Sequence, residues 1–142
     1  MLVNIEPHDA VKVQAFLTLD ILGIPVSDTG ILYPEVLDKW PNLKEVWEGL
    51  LKSHRQIDLT GKVLLVNGLN NSTKFKVAFI FTHKGNSPKK EWLESALTKL
   101  LKRAEELDMD IHMPYIEEAL WFLKGYESPI SFVMYKPENK DE

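Results

Sequence analysis

Residues 62–82, KVLLVNGLNNSTKFKVAFIFT, contain the clearest structural pattern in the chain. Two apolar runs rich in Val, Leu, Ile and Phe flank the polar residues 70–72. This pattern predicts two antiparallel strands joined by a tight turn. The second run, VAFIF at residues 77–81, is apolar without alternation, which favours a strand covered on both faces.

The sequence after this pair alternates between helical and strand patterns. Ser87 and Pro88 have the features of an N-cap and a first helical residue, so they predict a helix that ends near Leu107. Residues 110–116 and 129–135 are predicted strands. The segment between them is a predicted short helix over Glu117–Lys124, ended by Gly125.

The N-terminal part has an apolar run at residues 1–5 and strict alternation over residues 11–19, which predicts a strand. Residues 20–30 contain two glycines and a proline and are a predicted loop. Helical spacing follows over residues 31–54, interrupted by Pro41. The four tryptophans have helical spacing and are predicted core residues: Trp40, Trp47, Trp92 and Trp121.

This order of elements predicts an α/β fold with a mixed, partly parallel sheet between helices, because each late strand–helix–strand step needs a crossover. The length of 142 residues suits one domain. We expect that domain to span residues 1–136 and residues 137–142 to form a flexible charged tail.

Composition excludes several classes of function. The net charge of −4 disfavours a general nucleic-acid binder. The chain has no cysteine, which removes disulfides, thiolate catalysis and cysteine zinc sites. The start lacks a signal-peptide pattern, and no apolar run approaches the roughly 20 residues of a membrane span. We therefore expect a cytoplasmic protein with no membrane partner.

Ligands of open α/β sheets bind beyond the carboxyl ends of the parallel strands. The predicted loops there are flanked by Lys84, Lys89 and Lys90 and hold the Ser87 helix start, so this edge favours an anion. The four histidines lie in separate segments without partners at metal-ligand spacing, which predicts no metal site. Two of them, His83 and His112, end predicted strands at this edge, where each is a general base or an ordinary surface or hydrogen-bonded histidine.

Five segments together resemble a macro domain, in particular the compact macro-like proteins of phages and bacteria. They are YPEV at residues 33–36, LTGKVLLV at 59–66, VAFIFT at 77–82, WLESAL at 92–97 and IHMPYI at 111–116. The resemblance implies a three-layer α/β/α fold that binds ADP-ribose or a related nucleotide, with no cofactor. Some macro domains only bind this ligand, and others hydrolyse ADP-ribosyl bonds or phosphate esters.

Two parts of this sequence depart from the family pattern. Gly30 and Ile31 match the end of the family's first ligand loop, but the catalytic-type asparagine is not evident. The family's second phosphate loop is replaced by Glu117 and Glu118. The resemblance and the predicted loops assign the ligand contacts to Ile21, Gly23, Ser27, Thr29, Gly30, Ile31, Thr82, Ser87, Met113 and Tyr115.

Three functions remain open from the sequence. The first is a macro-like domain that binds ADP-ribose or a related adenine nucleotide without efficient turnover. The second is a hydrolase of ADP-ribose or its phosphoesters, in which Asp20 or His83 activates water. The third is a degenerate macro fold that acts as a protein-interaction module, with its pocket filled by side chains.

Overall fold

The computed structural model describes residues 1–7, 20–31, 37–38, 41–53, 58–67 and 76–136. The strand predicted over residues 11–19, most of the first helical segment, Trp40, the turn at 70–72 and the tail at 137–142 lie outside these ranges. The described residues form eight strands and three helices. The strands are β1 (Val3–Glu6), β2 (Asp20–Ser27), β3 (Gly30–Ile31), β4 (Val63–Asn67), β5 (Lys76–Lys84), β6 (Ser87–Pro88), β7 (Asp110–Pro114) and β8 (Phe132–Tyr135). The helices are α1 (Asn42–Ser53), α2 (Lys90–Leu107) and α3 (Glu117–Lys124).

The strands form one mixed sheet in the order β1-β8-β7-β2-β5-β4. The first five strands of this order are parallel to one another. The sixth, β4, is antiparallel to β5. The two-residue strands β3 and β6 pair antiparallel with β2 and β5. The predicted fold class and the predicted β4–β5 pair are therefore confirmed.

Alternating strand residues divide the core into two layers. Ala78 and Ile80 of β5 pack with α2 and α3, whereas Val77, Phe79 and Phe81 pack with α1. All five of these side chains have no exposed surface. The prediction that this strand is covered on both faces is confirmed, and helices lie on both sides of the sheet.

The predicted loop over residues 20–30 is wrong for most of its length, because Asp20–Ser27 is a buried central strand. Gly23 suits this strand, since a Cβ there would lie 2.9 Å from Ile80 Cδ1. Pro25 is tolerated because β2 pairs with β7 only as far as Leu22. On that side of β2, pairing resumes with β3 only at Val26, so residue 25 faces no paired residue there.

The tryptophan predictions have different outcomes. Trp47 of α1 is buried, and its ring stacks on Phe81 with centroids 5.8 Å apart. Trp92 is half-buried. The prediction for Trp121 is wrong: it is 64% exposed, on the outer side of α3, with the Lys124 ammonium 4.2 Å from its ring centroid.

None of the described helices combines the length and the apolar character that crossing a membrane would require.

Candidate functional site

A cleft of ≈ 480 Å³ opens at the carboxyl ends of the central strands. It forms here because β2 and β7 stop pairing after Leu22 and His112. The chain leaves β7 directly into α3, which packs on one face of the sheet, whereas α1, the described helix that follows β2 and β3, packs on the other face. Open sheets bind ligands at points of this kind. The cleft is lined by Pro25, Thr82, His83, Pro88, Lys89, Lys90, Leu93, Ile116 and Glu118.

A β-bulge turns the end of β5 towards the cleft. Val26 pairs with Phe81, but the next residue, Ser27, pairs with His83, so Thr82 is an extra residue on β5. Bulges of this kind redirect side chains beside functional sites. Thr82 and His83, two of the residues proposed from the sequence, both line the cleft.

His83 can act in two ways at this position. Its Nδ1 lies 2.8 Å from the Thr82 hydroxyl oxygen, so one ring nitrogen is occupied by this contact. If Nδ1 accepts from the hydroxyl, Nε2 carries the proton and can donate to a ligand oxygen. If Nδ1 donates instead, Nε2 is left as an acceptor, which is the form that a general base needs.

The basic wall of the cleft lies at the start of α2. The prediction that Ser87 caps this helix is wrong, because Ser87 pairs with Lys84 in the β5–β6 hairpin. The N-cap residue is Lys89, which makes no side-chain capping hydrogen bond, and the helix begins at Lys90. Positive charge at a helix N-terminus opposes the helix dipole. An anion bound between these lysines and the helix start would remove that conflict.

The opposite wall lies at the start of α3. Ile116 is the N-cap residue and supplies apolar surface, and Glu118, in the first turn, supplies a carboxylate. The cleft therefore has cations on its α2 side and an acid on its α3 side.

The predicted first ligand loop is a compact turn between β2 and β3. Ser27 is only 2% exposed, and its hydroxyl donates to the Gly85 carbonyl at 2.7 Å. The Thr29 amide donates to the Ser27 hydroxyl at 3.2 Å. Gly30 pairs with Ser27, and Ile31 pairs with Val26. The polar groups of Ser27 and the Thr29 amide hold this turn together, and their expected contact with a ligand stays a prediction.

The backbone of Gly30 does not itself require a glycine. Its φ is not positive, and no described heavy atom lies within 4 Å of an added Cβ. The left-handed glycine at this edge is Gly85, with a φ of +60° in the two-residue turn between β5 and β6.

Three further predicted ligand contacts belong to the core. Ile21 and Met113 have no exposed surface, and Gly23 is buried between Ile80, Leu100 and Met113. Ile21 and Met113 pack with side chains of α2 and α3, and none of the three residues lines the cleft. Their contact with a ligand stays a prediction.

Asp20 lies at the amino end of β2, far from the cleft. Ser27, at the other end of the strand, follows it by seven positions, a span of about 23 Å. Its carboxylate lies 3.5 Å from Nε2 of His112, whose Nδ1 lies 2.7 Å from the Tyr135 hydroxyl. The predicted positions of Asp20 and His112 at the ligand edge are thus wrong, because Asp20 begins β2 and His112 lies in the middle of β7.

Burial controls the charges in this network. It lowers the pKa of His112 below its usual value despite the nearby Asp20, and it raises the pKa of Asp20. Burial also raises the pKa of Tyr135 to about 12, with a contribution from Glu6. A neutral His112 satisfies both contacts when Nε2–H faces Asp20 and Nδ1 accepts from the Tyr135 hydroxyl.

Tyr115 lies beside the cleft without lining it. Its amide donates to the Tyr135 carbonyl at 3.0 Å, and the Lys136 ammonium lies 4.8 Å from its ring centroid. Of the twelve residues proposed from the sequence, Thr82 and His83 are the ones that line the cleft in the part of the chain that the structure describes. Lys89, Lys90 and Glu118 were visible in the sequence as charges near this edge, but nothing in the chain order showed that they face one another.

The described residues contain no group of three His, Asp or Glu side chains that could hold a metal ion.

No family model matches the chain, and no curated protein sequence matches it significantly. Solved structures do match. A macrodomain protein from Streptomyces coelicolor superposes with a TM-score of 0.78 at 15% identity, covering 96% of this chain and 100% of that one. The DarG macrodomain of Mycobacterium tuberculosis superposes with a TM-score of 0.73 at 14% identity, covering 96% and 99%. The DarG macrodomain of Thermus aquaticus has a TM-score of 0.71, also at 14% identity, with the same two coverages. The chain therefore has the macrodomain fold.

Proposed function

We propose that this protein binds ADP-ribose or a closely related adenine nucleotide in the cleft between α2 and α3. The observation that carries the proposal is an open cleft at the carboxyl ends of a macrodomain sheet, with His83, Lys89 and Lys90 on one wall. A diphosphate would contact the lysines and the uncapped start of α2, and the apolar side chains Leu93 and Ile116 would cover a less polar part of the ligand.

We further propose that the nucleotide is bound without efficient turnover. Asp20, one of the two side chains considered for activating water, lies at the other end of β2. The hydrolase alternative therefore depends on His83, which faces the cleft beside Thr82. The interaction-module alternative assumed a pocket filled by side chains, and the open cleft does not fit that assumption.

Isothermal titration of the full chain with ADP-ribose tests this function. We expect measurable binding by the wild type and at least about ten-fold weaker binding by Lys89→Gln/Lys90→Gln, because two cations are lost from the phosphate wall. Lys102→Gln is the control, since Lys102 is exposed on α2 about 18 Å further along the helix. No binding of ADP-ribose at millimolar concentration would contradict the proposal.

Chromatography of the same mixture separates binding from turnover. Unchanged ADP-ribose after long incubation supports the binding protein. Formation of a product that disappears with His83→Ala, while binding survives, would establish the hydrolase instead.

A further inference from the structure

We infer that Glu118 makes the cleft select nucleotides whose diphosphate is capped by a sugar over nucleotides that end in a free phosphate. The inference rests on the proposed function, because it concerns the ligand of the same cleft. The ligand class favoured is a nucleoside diphosphate sugar of the ADP-ribose type, and the class rejected is a nucleoside diphosphate such as ADP.

The first step is the availability of the Glu118 carboxylate. Glu118 is exposed and lines the cleft. Within the part of the chain that the structure describes, no hydrogen bond or ion pair occupies its side chain. The Glu118 side chain is therefore available to a ligand, and a carboxylate can only accept hydrogen bonds.

The second step is the asymmetry of the cleft. Lys89 and Lys90 line one side at the start of α2, and Glu118 lines the other at the start of α3. A ligand spanning the two walls meets cations first and then a carboxylate. A diphosphate matches the cations. The group that follows must donate hydrogen bonds or be neutral, because a second negative charge beside Glu118 is repelled.

The third step is the difference between the two ligand classes. In ADP the diphosphate ends in a free phosphate, which carries more negative charge than the esterified diphosphate of ADP-ribose. The ribose that caps the diphosphate presents hydroxyl groups, which can donate to a carboxylate. Glu118 thus attracts one ligand and repels the other. Specificity for ADP-ribose over ADP is the difference between the two binding free energies, and both effects increase it.

Glu117 provides a matched comparison. Both glutamates are exposed residues in the first turn of α3, where their charge favours the helix dipole. Only Glu118 lines the cleft. If the two glutamates only stabilised the helix, replacing either one would have the same effect on ligand binding. If Glu118 selects the ligand, only its replacement changes the selectivity.

The experiment titrates wild type, Glu118→Gln and Glu117→Gln with ADP-ribose and with ADP in low-salt buffer. The measured quantity is the ratio of the ADP dissociation constant to the ADP-ribose dissociation constant. We expect a wild-type ratio above one that falls about five-fold in Glu118→Gln, which is the effect of one partly solvated charge contact. ADP should bind more tightly to this variant, and ADP-ribose should bind less tightly. Glu117→Gln should keep the wild-type ratio.

Three results would overturn the inference while leaving the proposed function standing. They are equal wild-type affinity for the two nucleotides, an unchanged ratio in Glu118→Gln, and the same change of ratio in both variants. If the wild type binds neither nucleotide, the proposed function itself fails and the inference fails with it. Thermal melting of all three proteins shows that each variant is folded.

Discussion

The Asp28 carboxylate accepts a hydrogen bond from the Gly85 backbone amide at 2.7 Å. This contact joins the turn after β2 to the turn after β5, 57 residues apart in the chain. The β5–β6 hairpin carries His83 and Pro88, both of which line the cleft. Asp28 therefore positions one wall of the cleft without lining it.

Replacing Asp28 should loosen this hairpin. Asp28→Ala removes the acceptor of the Gly85 amide, and a hydrogen bond to a charged group contributes about 1.5–3 kcal/mol. We expect faster hydrogen exchange at Gly85 and weaker ADP-ribose binding, because the His83 wall loses its position. Asp28→Asn keeps an oxygen acceptor and should recover part of both effects. Equal exchange rates in wild type and Asp28→Ala would show that the hairpin holds its position without this contact.

Lys90→Glu should affect stability and binding in opposite directions. The present lysine opposes the dipole at the start of α2, and an acid there should raise the free energy of unfolding by about 0.3–1 kcal/mol. The same change removes a cation from the proposed phosphate wall and should weaken ADP-ribose binding by at least about ten-fold.

Urea denaturation and calorimetric titration measure these two effects of Lys90→Glu. Lys102→Glu is the matched control, because it makes the same charge change away from the start of the helix. It should leave binding nearly unchanged. A Lys90→Glu protein that is more stable and still binds normally would remove Lys90 from the site.

The stability of the protein should fall as the pH drops below about 6.5. Burial lowers the pKa of His112 in the folded protein, so the unfolded chain takes up this proton first. The contribution of His112 is therefore present above pH 6.5 and is lost as the pH falls towards its folded pKa. Burial raises the pKa of Asp20 in the folded protein. The contribution of Asp20 therefore stabilises the folded state at low pH and is lost as the pH rises through its folded pKa.

Urea denaturation at pH 7.5 and 5.5 measures the His112 contribution. The wild type should be less stable at pH 5.5, and His112→Gln should show a smaller difference between the two pH values. An equal difference in the two proteins would mean that another group takes up the proton.

Leu97→Ala should lower the free energy of unfolding by about 2–5 kcal/mol, because the Leu97 side chain is fully buried in α2. Trp121→Ala is the comparison on α3. Its ring is 64% exposed and contacts the Lys124 ammonium, so its loss should cost less than about 1 kcal/mol. A larger cost for Trp121 than for Leu97 would reverse the assignment of the two helix faces.

Much of the fold could be predicted from local patterns. The apolar run at residues 77–81, the amphipathic spacing of α2 and the stop at Gly125 each reflect one element and its immediate surroundings. The central strand β2 could not be predicted in this way, because Gly23 and Pro25 usually interrupt a strand. Both fit only because Ile80 occupies the space beside Gly23 and β7 stops pairing before Pro25.

The candidate site depended far more on tertiary structure. The sequence by itself placed basic residues and His83 near the carboxyl ends of the strands, since strand order and charge can be seen along the chain. It could not show that Thr82 is an extra residue in a bulge, which only the pairing of β5 with β2 reveals. Nor could it show that Lys90 and Glu118, 28 residues apart, line the same cleft while Asp20 lies at the far end of the sheet. These relations arise from strand register and from the packing of two helices on one face, which local sequence does not encode.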